Sequence, residues 1–240
     1  AEPLISLTDI AVIGNVEENS IEALAAAGIV GSFLSAIIWI VAQTKTAISA
    51  TVSQHLGANR LHAVKTLIPQ TILFNFLFSL VIYATTAIFA EAIFSAYNAD
   101  GLILQYSESY YKIRALGYPL TLVTFAIFGV FRGLQNTFWA MKCSLTGAVV
   151  NIVLDYILVY GIDGLVPAMH LEGAAYASLA AQATMLIMAL WFYFRKTPFH
   201  LKLSLKINPQ MKPLLLMAAN LFIRTAALNF AIYLANAYAT

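Results

Sequence analysis

The sequence predicts an all-α membrane protein, a polytopic bundle of transmembrane helices, on the basis of three observations. Of the 240 residues, 61% are hydrophobic and 10% are charged, whereas a soluble domain has about 45 to 50% apolar and about 25% charged residues. The apolar residues form stretches of roughly 20, the length of a membrane-spanning helix. The strands of a buried sheet, which would also be apolar, are only about 4 to 8 residues long.

Seven apolar segments make up most of the chain, and six of them are long enough to cross a bilayer. They lie at about 21–44, 66–90, 109–131, 141–161, 173–194 and 214–238. The shorter segment from Pro3 to Ile13 is interpreted as part of a further helix. Because the chain begins at Ala1 rather than Met, within this apolar segment, we expect a truncated start.

Charged residues alternate between the connections that separate these segments. The second, fourth and sixth connections hold all nine of the Lys and Arg residues found in connections: Arg60, Lys65, Arg132, Lys142, Arg195, Lys196, Lys202, Lys206 and Lys212. The first, third and fifth hold acidic residues instead, although Lys112 and Arg114 lie close to the third. Since cytoplasmic loops retain Lys and Arg, we expect the connection at 195–213 to be cytoplasmic and Thr240 to lie outside.

Several classes of function have no support in the sequence. A net charge of +2 is too small for a nucleic-acid partner. The single Cys143 cannot form an internal disulfide, and the four His residues lack metal-site spacing, so no metal site is expected. No Gly-x-Ser-x-Gly or His-Glu-x-x-His pattern is present, and we therefore predict that the protein is not an enzyme.

The ionisable side chains of greatest interest in or next to the apolar segments are Glu2 and Asp9 in the first, Lys45 at the end of the next, Asp155 and Arg224. A charge at mid-membrane costs on the order of 2.5 to 3.5 kcal/mol, which makes each of them a functional candidate. Lys45 is expected near the end of its span, where its ammonium group can reach the cytoplasmic interface. Asp155, predicted in the middle of its span, is too short to do the same.

Asn151 and Asp155 are four residues apart, so they share one face of a helix. Asp9 supplies a second carboxyl from another helix. Burial and mutual repulsion favour the protonated form of two carboxyls in one pocket. The three residues therefore predict a proton or cation site. The alternative, in which Asp155 only hydrogen-bonds a neighbouring helix through Tyr, Ser or Thr, stays open.

Seven short stretches along the chain resemble one known family. They are PLISLTDIAVIG at 3–14, SQHLGANR at 53–60, YKIRALGYP at 111–119, FRGLQNT at 131–137, NIVLD at 151–155, EGAAYAS at 172–178 and NLFIRT at 220–225. In order and spacing they resemble the multidrug and toxic compound extrusion (MATE) family, most closely its bacterial DinF-like branch. The family's Arg-Gly-x-x-Asp-Thr pattern appears here with Asn136 in the acidic position, which puts a local salt bridge in doubt.

The resemblance implies twelve helices in two six-helix lobes around a central cavity. On this division, residues 1–194 are the N-terminal lobe with a truncated first helix, 195–213 are the cytoplasmic linker and 214–240 are the first helix of the second lobe.

The resemblance also assigns residues to sites. It places the cation or proton site on Asp9, Asn151 and Asp155, with Ser178 as a weaker candidate. Tyr110, Tyr111 and Lys45 are possible pocket residues, although an interfacial anchor is an alternative for the two tyrosines.

The function implied is a secondary active antiporter in the bacterial inner membrane that exports amphipathic or cationic organic compounds. Its coupling ion is H+ or Na+, with no other cofactor, and its partners are the lipid bilayer and small organic substrates. The complete protein is expected to be a monomer. Two alternative functions stay open. A lipid-linked saccharide flippase of the same superfamily would need a basic cavity, for which Lys45 and Arg224 are available, and a non-transporting scaffold would not need buried acids.

Overall fold

The structure, a computed structural model, describes residues 11–14, 20–202, 204 and 206–239, and it is built from helices. Their bounds are α1 Ser20–Gly57, α2 Leu67–Ile88, α3 Ala90–Ala96, α4 Gly101–Ala115, α5 Gly117–Gly133, α6 Phe138–Tyr160, α7 His170–Lys196 and α8 Met211–Ala239, with a 3-10 turn at Leu61–Val64. Within the described ranges, five helices are long and apolar enough to cross a membrane, and there are six such spans if the bent pair α4–α5 is counted as one. The predicted fold class of an all-α transmembrane bundle is confirmed.

The first described span is longer than predicted, since α1 runs to Gly57 instead of ending near residue 44. A helix of 38 residues is longer than the roughly 20 residues that cross a bilayer, so the expectation that Lys45 stands near the end of its membrane span stays a prediction. Beyond the predicted end, polar side chains find acceptors within the helix, since Thr44 Oγ1 donates to Val41 O at 2.8 Å and Thr51 Oγ1 donates to Ala47 O at 2.9 Å.

The span predicted at 109–131 is also different, because it begins earlier and is broken. Helices α4 and α5 meet at Leu116 with a bend of 42°. Pro119 lies in the first turn of α5 and has no N–H to donate back to α4, which favours a new helix start at this point. The connection predicted between 91 and 108 thus contains α3 and about half of α4.

Two apolar clusters hold the bundle together. One is near the end that the charge pattern predicts to be cytoplasmic and includes Ile48, Ile68, Phe131 and Tyr193. The other is near the opposite end and includes Val30, Phe94, Tyr111 and Ala175. Each cluster draws side chains from α1 and from α7, so these two helices run through the whole core.

The connection between α7 and α8 is bonded to the start of α2. Gln70 Nε2 donates to Lys206 O at 2.7 Å, and Gln70 Oε1 accepts from the backbone N–H of Asn208 at 2.9 Å. The Asn208 amide group donates to Ala63 O at 3.0 Å and to Thr66 Oγ1 at 2.8 Å. The segment predicted as an inter-lobe linker is therefore bonded to the start of α2 at Lys206 and Asn208.

Candidate functional site

The predicted site lies between α6 and α7, which pack closely because small residues face each other. A Cβ atom on Gly147 of α6 would collide with Met185 Cγ, and one on Gly173 of α7 would lie 2.5 Å from Leu158 O. Ala174 and Ala181 of α7 are completely buried. Small residues allow helix backbones to approach in this way in membrane proteins.

Asn151 of α6 and Ser178 of α7 meet at this contact, and both are 0% exposed, as is Asp155 of α6. The Asn151 amide Nδ2 donates to Ser178 Oγ at 3.3 Å. Asp155 lies on the same face of α6, one turn further along. It lies little more than one turn before Tyr160, the last residue of α6, so the expectation of a position in the middle of the span is wrong.

The amide oxygen of Asn151 is an acceptor that this contact leaves without a donor. Asn151 Oδ1 is buried and has no hydrogen-bond donor among the residues that the structure describes. Burying such an acceptor without a partner costs about 1–3 kcal/mol, and a cation or a water molecule would remove that cost. A carboxyl oxygen one turn away is the other hard ligand that such a cation prefers.

The segment that follows Asp9 in the sequence packs on the same end of α6. Tyr160 OH donates to Val12 O at 2.9 Å, and Val12 and Ile13 belong to the cluster that contains Val159. Asp9 itself lies outside the described residues, as does Glu2. Its membership of the site stays a prediction.

Tyr110 and Tyr111 are inside the protein rather than at a lipid interface, with 2% and 0% exposure. The Tyr111 ring packs against Phe94 at 5.2 Å and Phe33 at 5.5 Å between centroids. Its hydroxyl lies 3.3 Å from Tyr118 OH. The alternative of an interfacial anchor therefore does not describe these tyrosines.

The two basic candidates lie elsewhere in the bundle. Lys45 Nζ is 4.6 Å from the centroid of the Phe125 ring, at the contact between α1 and α5. Arg224 is exposed on α8. Neither side chain has a described contact with Asn151, Asp155 or Ser178.

Sequence reasoning did not single out Gln182, which extends the polar face of α7 by one turn from Ser178. Gln182 is 6% exposed and lies so close to α5 that a Cβ on Gly117 would occupy the position of its amide oxygen. Arg114 and Thr121 border the same small cavity. The four-residue spacing of Ser178 and Gln182, which places both on one face of a helix, is the sequence signal that could have identified Gln182.

A larger groove lies between α1 and α8. Its volume is about 520 Å3, within the range of about 300–1,000 Å3 for small-molecule pockets. The lining is mostly apolar and consists of Ser35, Ala36, Trp39, Ile40, Phe222, Thr225 and Ala226. In the described part of the chain, no three His, Cys, Asp or Glu side chains are grouped so that they could hold a metal ion.

Comparison with known proteins gives concordant results. The MatE family model matches residues 1–157. The chain is 26% identical over 196 residues to the probable multidrug resistance protein NorM of Haemophilus ducreyi, covering 81% of this chain and 41% of that protein. It is 25% identical over 173 residues to the probable multidrug resistance protein YoeA of Bacillus subtilis, covering 70% of this chain and 37% of that one.

Among solved structures, the chain superimposes on a crystal structure of MATE in the bent conformation with a TM-score of 0.85 at 20% identity. The match covers 96% of this chain and 50% of the other, and it shows a shared fold. The chain thus spans less than half the length of the two curated relatives.

Proposed function

The chain belongs to the MatE family, and we propose that it forms part of a secondary active antiporter that exports amphipathic or cationic organic compounds. Protons or Na+ entering in exchange would drive the export. Both named relatives are described as probable multidrug resistance proteins, which supports this class of substrate. We place the protein in the cell membrane with the basic connection at 195–213 in the cytoplasm, in accord with the distribution of Lys and Arg.

The observation that carries the proposal is the buried Asn151–Ser178 contact, with the buried carboxyl of Asp155 one turn further along α6. A carboxyl group at 0% exposure costs free energy in its charged form unless a counter-charge accompanies it. Asn151 Oδ1, which has no described donor, offers a second oxygen to the same cation. Asp9, as the resemblance implies, would complete the set from the first helix of the lobe.

Cation binding at this contact would change how α6 and α7 pack. The Asn151–Ser178 hydrogen bond is long, at 3.3 Å, and joins two helices whose backbones are already as close as glycine allows. A proton or Na+ that draws Asn151 and Asp155 together competes with that bond. The coupling ion then favours one of two helix arrangements, as alternating access requires.

We place the substrate in the groove between α1 and α8. Trp39 and Phe222 give it aromatic surface, which suits apolar rings and attracts organic cations. The groove is separate from the Asn151–Ser178 contact in the residues that line it. Ion and substrate would therefore act on each other through α5, which packs against both α1 and α7.

Asp155→Asn tests the proposal, with Asp163→Asn as the matched control because Asp163 is exposed in the loop after α6. In the complete protein reconstituted in vesicles, Asp155→Asn should abolish efflux driven by an ion gradient while membrane insertion is kept. Asp163→Asn should transport at the unchanged rate. Efflux by Asp155→Asn equal to that of the control contradicts the assigned role.

The coupling ion is decided by imposing the two gradients separately. A pH gradient without Na+ drives export if the ion is a proton, and a Na+ gradient at equal pH drives it if the ion is Na+. Both effects should disappear in Asp155→Asn, because the proposal assigns either ion to the same oxygens.

A further inference from the structure

An aromatic and basic surface lies at the end of the α6–α7 pair where Lys and Arg collect. Trp139 of α6 packs against Phe192 of α7 with ring centroids 4.4 Å apart, and Phe192 packs against Trp191 at 4.8 Å. Lys142 Nζ and Lys196 Nζ lie 5.5 Å and 5.2 Å from the Trp139 ring. We call Trp139, Lys142, Trp191, Arg195 and Lys196 the Trp139 patch.

The positive charge of this patch has no described counter-ion. Lys112 and Glu108 form an ion pair at 2.8 Å, but it lies at the other end of the bundle. Lys142, Arg195 and Lys196 are all exposed, and no Asp or Glu occurs between residues 109 and 154 or after residue 172. Two ammonium groups at one indole ring are therefore left without a local anion.

The start of α6 adds to the attraction for an anion. The N-terminus of α6 has no side-chain cap, so its first N–H groups and the positive end of its dipole are available. Ammonium groups and a helix start are donors that bind phosphate oxygens.

We propose that the Trp139 patch binds the phosphate group of an anionic phospholipid. The neighbouring exposed side chains favour a lipid over free phosphate, since Leu145, Trp191 and Phe194 are 64%, 54% and 53% exposed. These apolar groups continue from the patch along α6 and α7 and provide a surface for acyl chains. Basic sites between helices near the cytoplasmic interface bind anionic head groups in this manner.

The test measures thermal unfolding of the purified full chain in neutral detergent while lipid is added. Phosphatidylglycerol, phosphatidylcholine and inorganic phosphate are compared at equal concentrations. The variant Lys142→Gln/Lys196→Gln removes the two ammonium groups at Trp139. The control Lys65→Gln/Lys212→Gln removes the same charge from exposed positions at the same end of the bundle, where no aromatic contact is described.

Phosphatidylglycerol should stabilise the unchanged protein more than phosphatidylcholine does. In the patch variant, the concentration for half-maximal stabilisation should rise by roughly 25-fold, since each of the two basic side chains near a membrane surface contributes about fivefold. The control pair should shift it much less. Equal shifts in both pairs would mean that only net surface charge matters, and this would overturn the proposal. Equal stabilisation by inorganic phosphate, or none by phosphatidylglycerol, would overturn it as well. None of these readings depends on transport.

Discussion

Gly173 is the position where one added methyl group most directly tests the α6–α7 contact. A Cβ atom there would lie 2.5 Å from Leu158 O and 2.9 Å from the backbone nitrogen of Val159. Real Cβ contacts essentially never fall below 3.0 Å, and helix backbone atoms cannot rotate away as a side chain can. Gly173→Ala must therefore separate the two helices locally by about 0.5 Å or more.

The size of the effect follows from this overlap. Forcing extra volume into a packed interior costs about 1–3 kcal/mol, and in a chain of this length about 2–4 °C of melting temperature is lost for each kcal/mol. We expect Gly173→Ala to unfold several degrees earlier. The Asn151–Ser178 bond, at 3.3 Å, is already longer than the usual 2.7–3.2 Å, so the separation should weaken it as well.

Thermal unfolding in detergent, followed by the loss of monodisperse protein on size exclusion, measures the change. Gly28→Ala is the matched control, since a Cβ at Gly28 meets no atom within 4 Å. In a helix interior alanine is favoured over glycine by about 0.5–1 kcal/mol, so this variant should be unchanged or slightly more stable. Gly147→Ala should lie between them because flexible Met185 can move aside. A Gly173→Ala protein as stable as Gly28→Ala would refute the close packing.

Two other substitutions have definite expected outcomes. Ser178→Ala removes the acceptor of Asn151 Nδ2 and should lower both thermal stability, by about 1–3 kcal/mol for a buried unpaired donor, and ion-driven efflux. Ser53→Ala loses only a bond to its own helix and should change neither, so equal losses would exclude a special role for Ser178. Asn208→Ala removes both bonds to the start of α2 and should speed proteolysis and amide exchange in residues 197–210. The control Asn136→Ala, at an exposed position, should leave proteolysis and exchange in this segment unchanged. Unaltered exchange in Asn208→Ala would show that the two Asn208 bonds do not hold the segment in place.

The fold class can be predicted from the sequence because the hydropathy and the flanking charges of each helix can be read from its own segment, without knowing its neighbours. The α6 and α7 spans were predicted to within a few residues at each end. The break at Leu116 was missed because Pro119 was read within a continuous apolar stretch. The end of α1 was misplaced because Lys45 was taken as a boundary, although its ammonium group lies over the Phe125 ring inside the bundle.

The site was only partly predictable, because contacts between helices depend on packing that no single segment encodes. Four-residue spacing placed Asn151 and Asp155 on one face, and the family resemblance supplied Ser178, which the structure brings within 3.3 Å of Asn151. Gln182 has the same spacing from Ser178, but its contact with Gly117 of α5 is between helices and cannot be read from the sequence. The assignment of Asp9 and the coupling role of all three predicted residues stay predictions.

The bonds between Gln70 and Asn208 also limit where the chain can act as a pivot. Lys206 and Asn208 are held to the start of α2 by bonds of 2.7 to 2.9 Å, so while these bonds last the two residues move together with α2. A swing of α8 that leaves these bonds intact has to turn between Asn208 and Met211, where α8 begins. Because so few residues lie between Asn208 and Met211, a change in their backbone angles tilts α8 as a whole. A small tilt at the start of a helix of 29 residues becomes a large displacement at its far end.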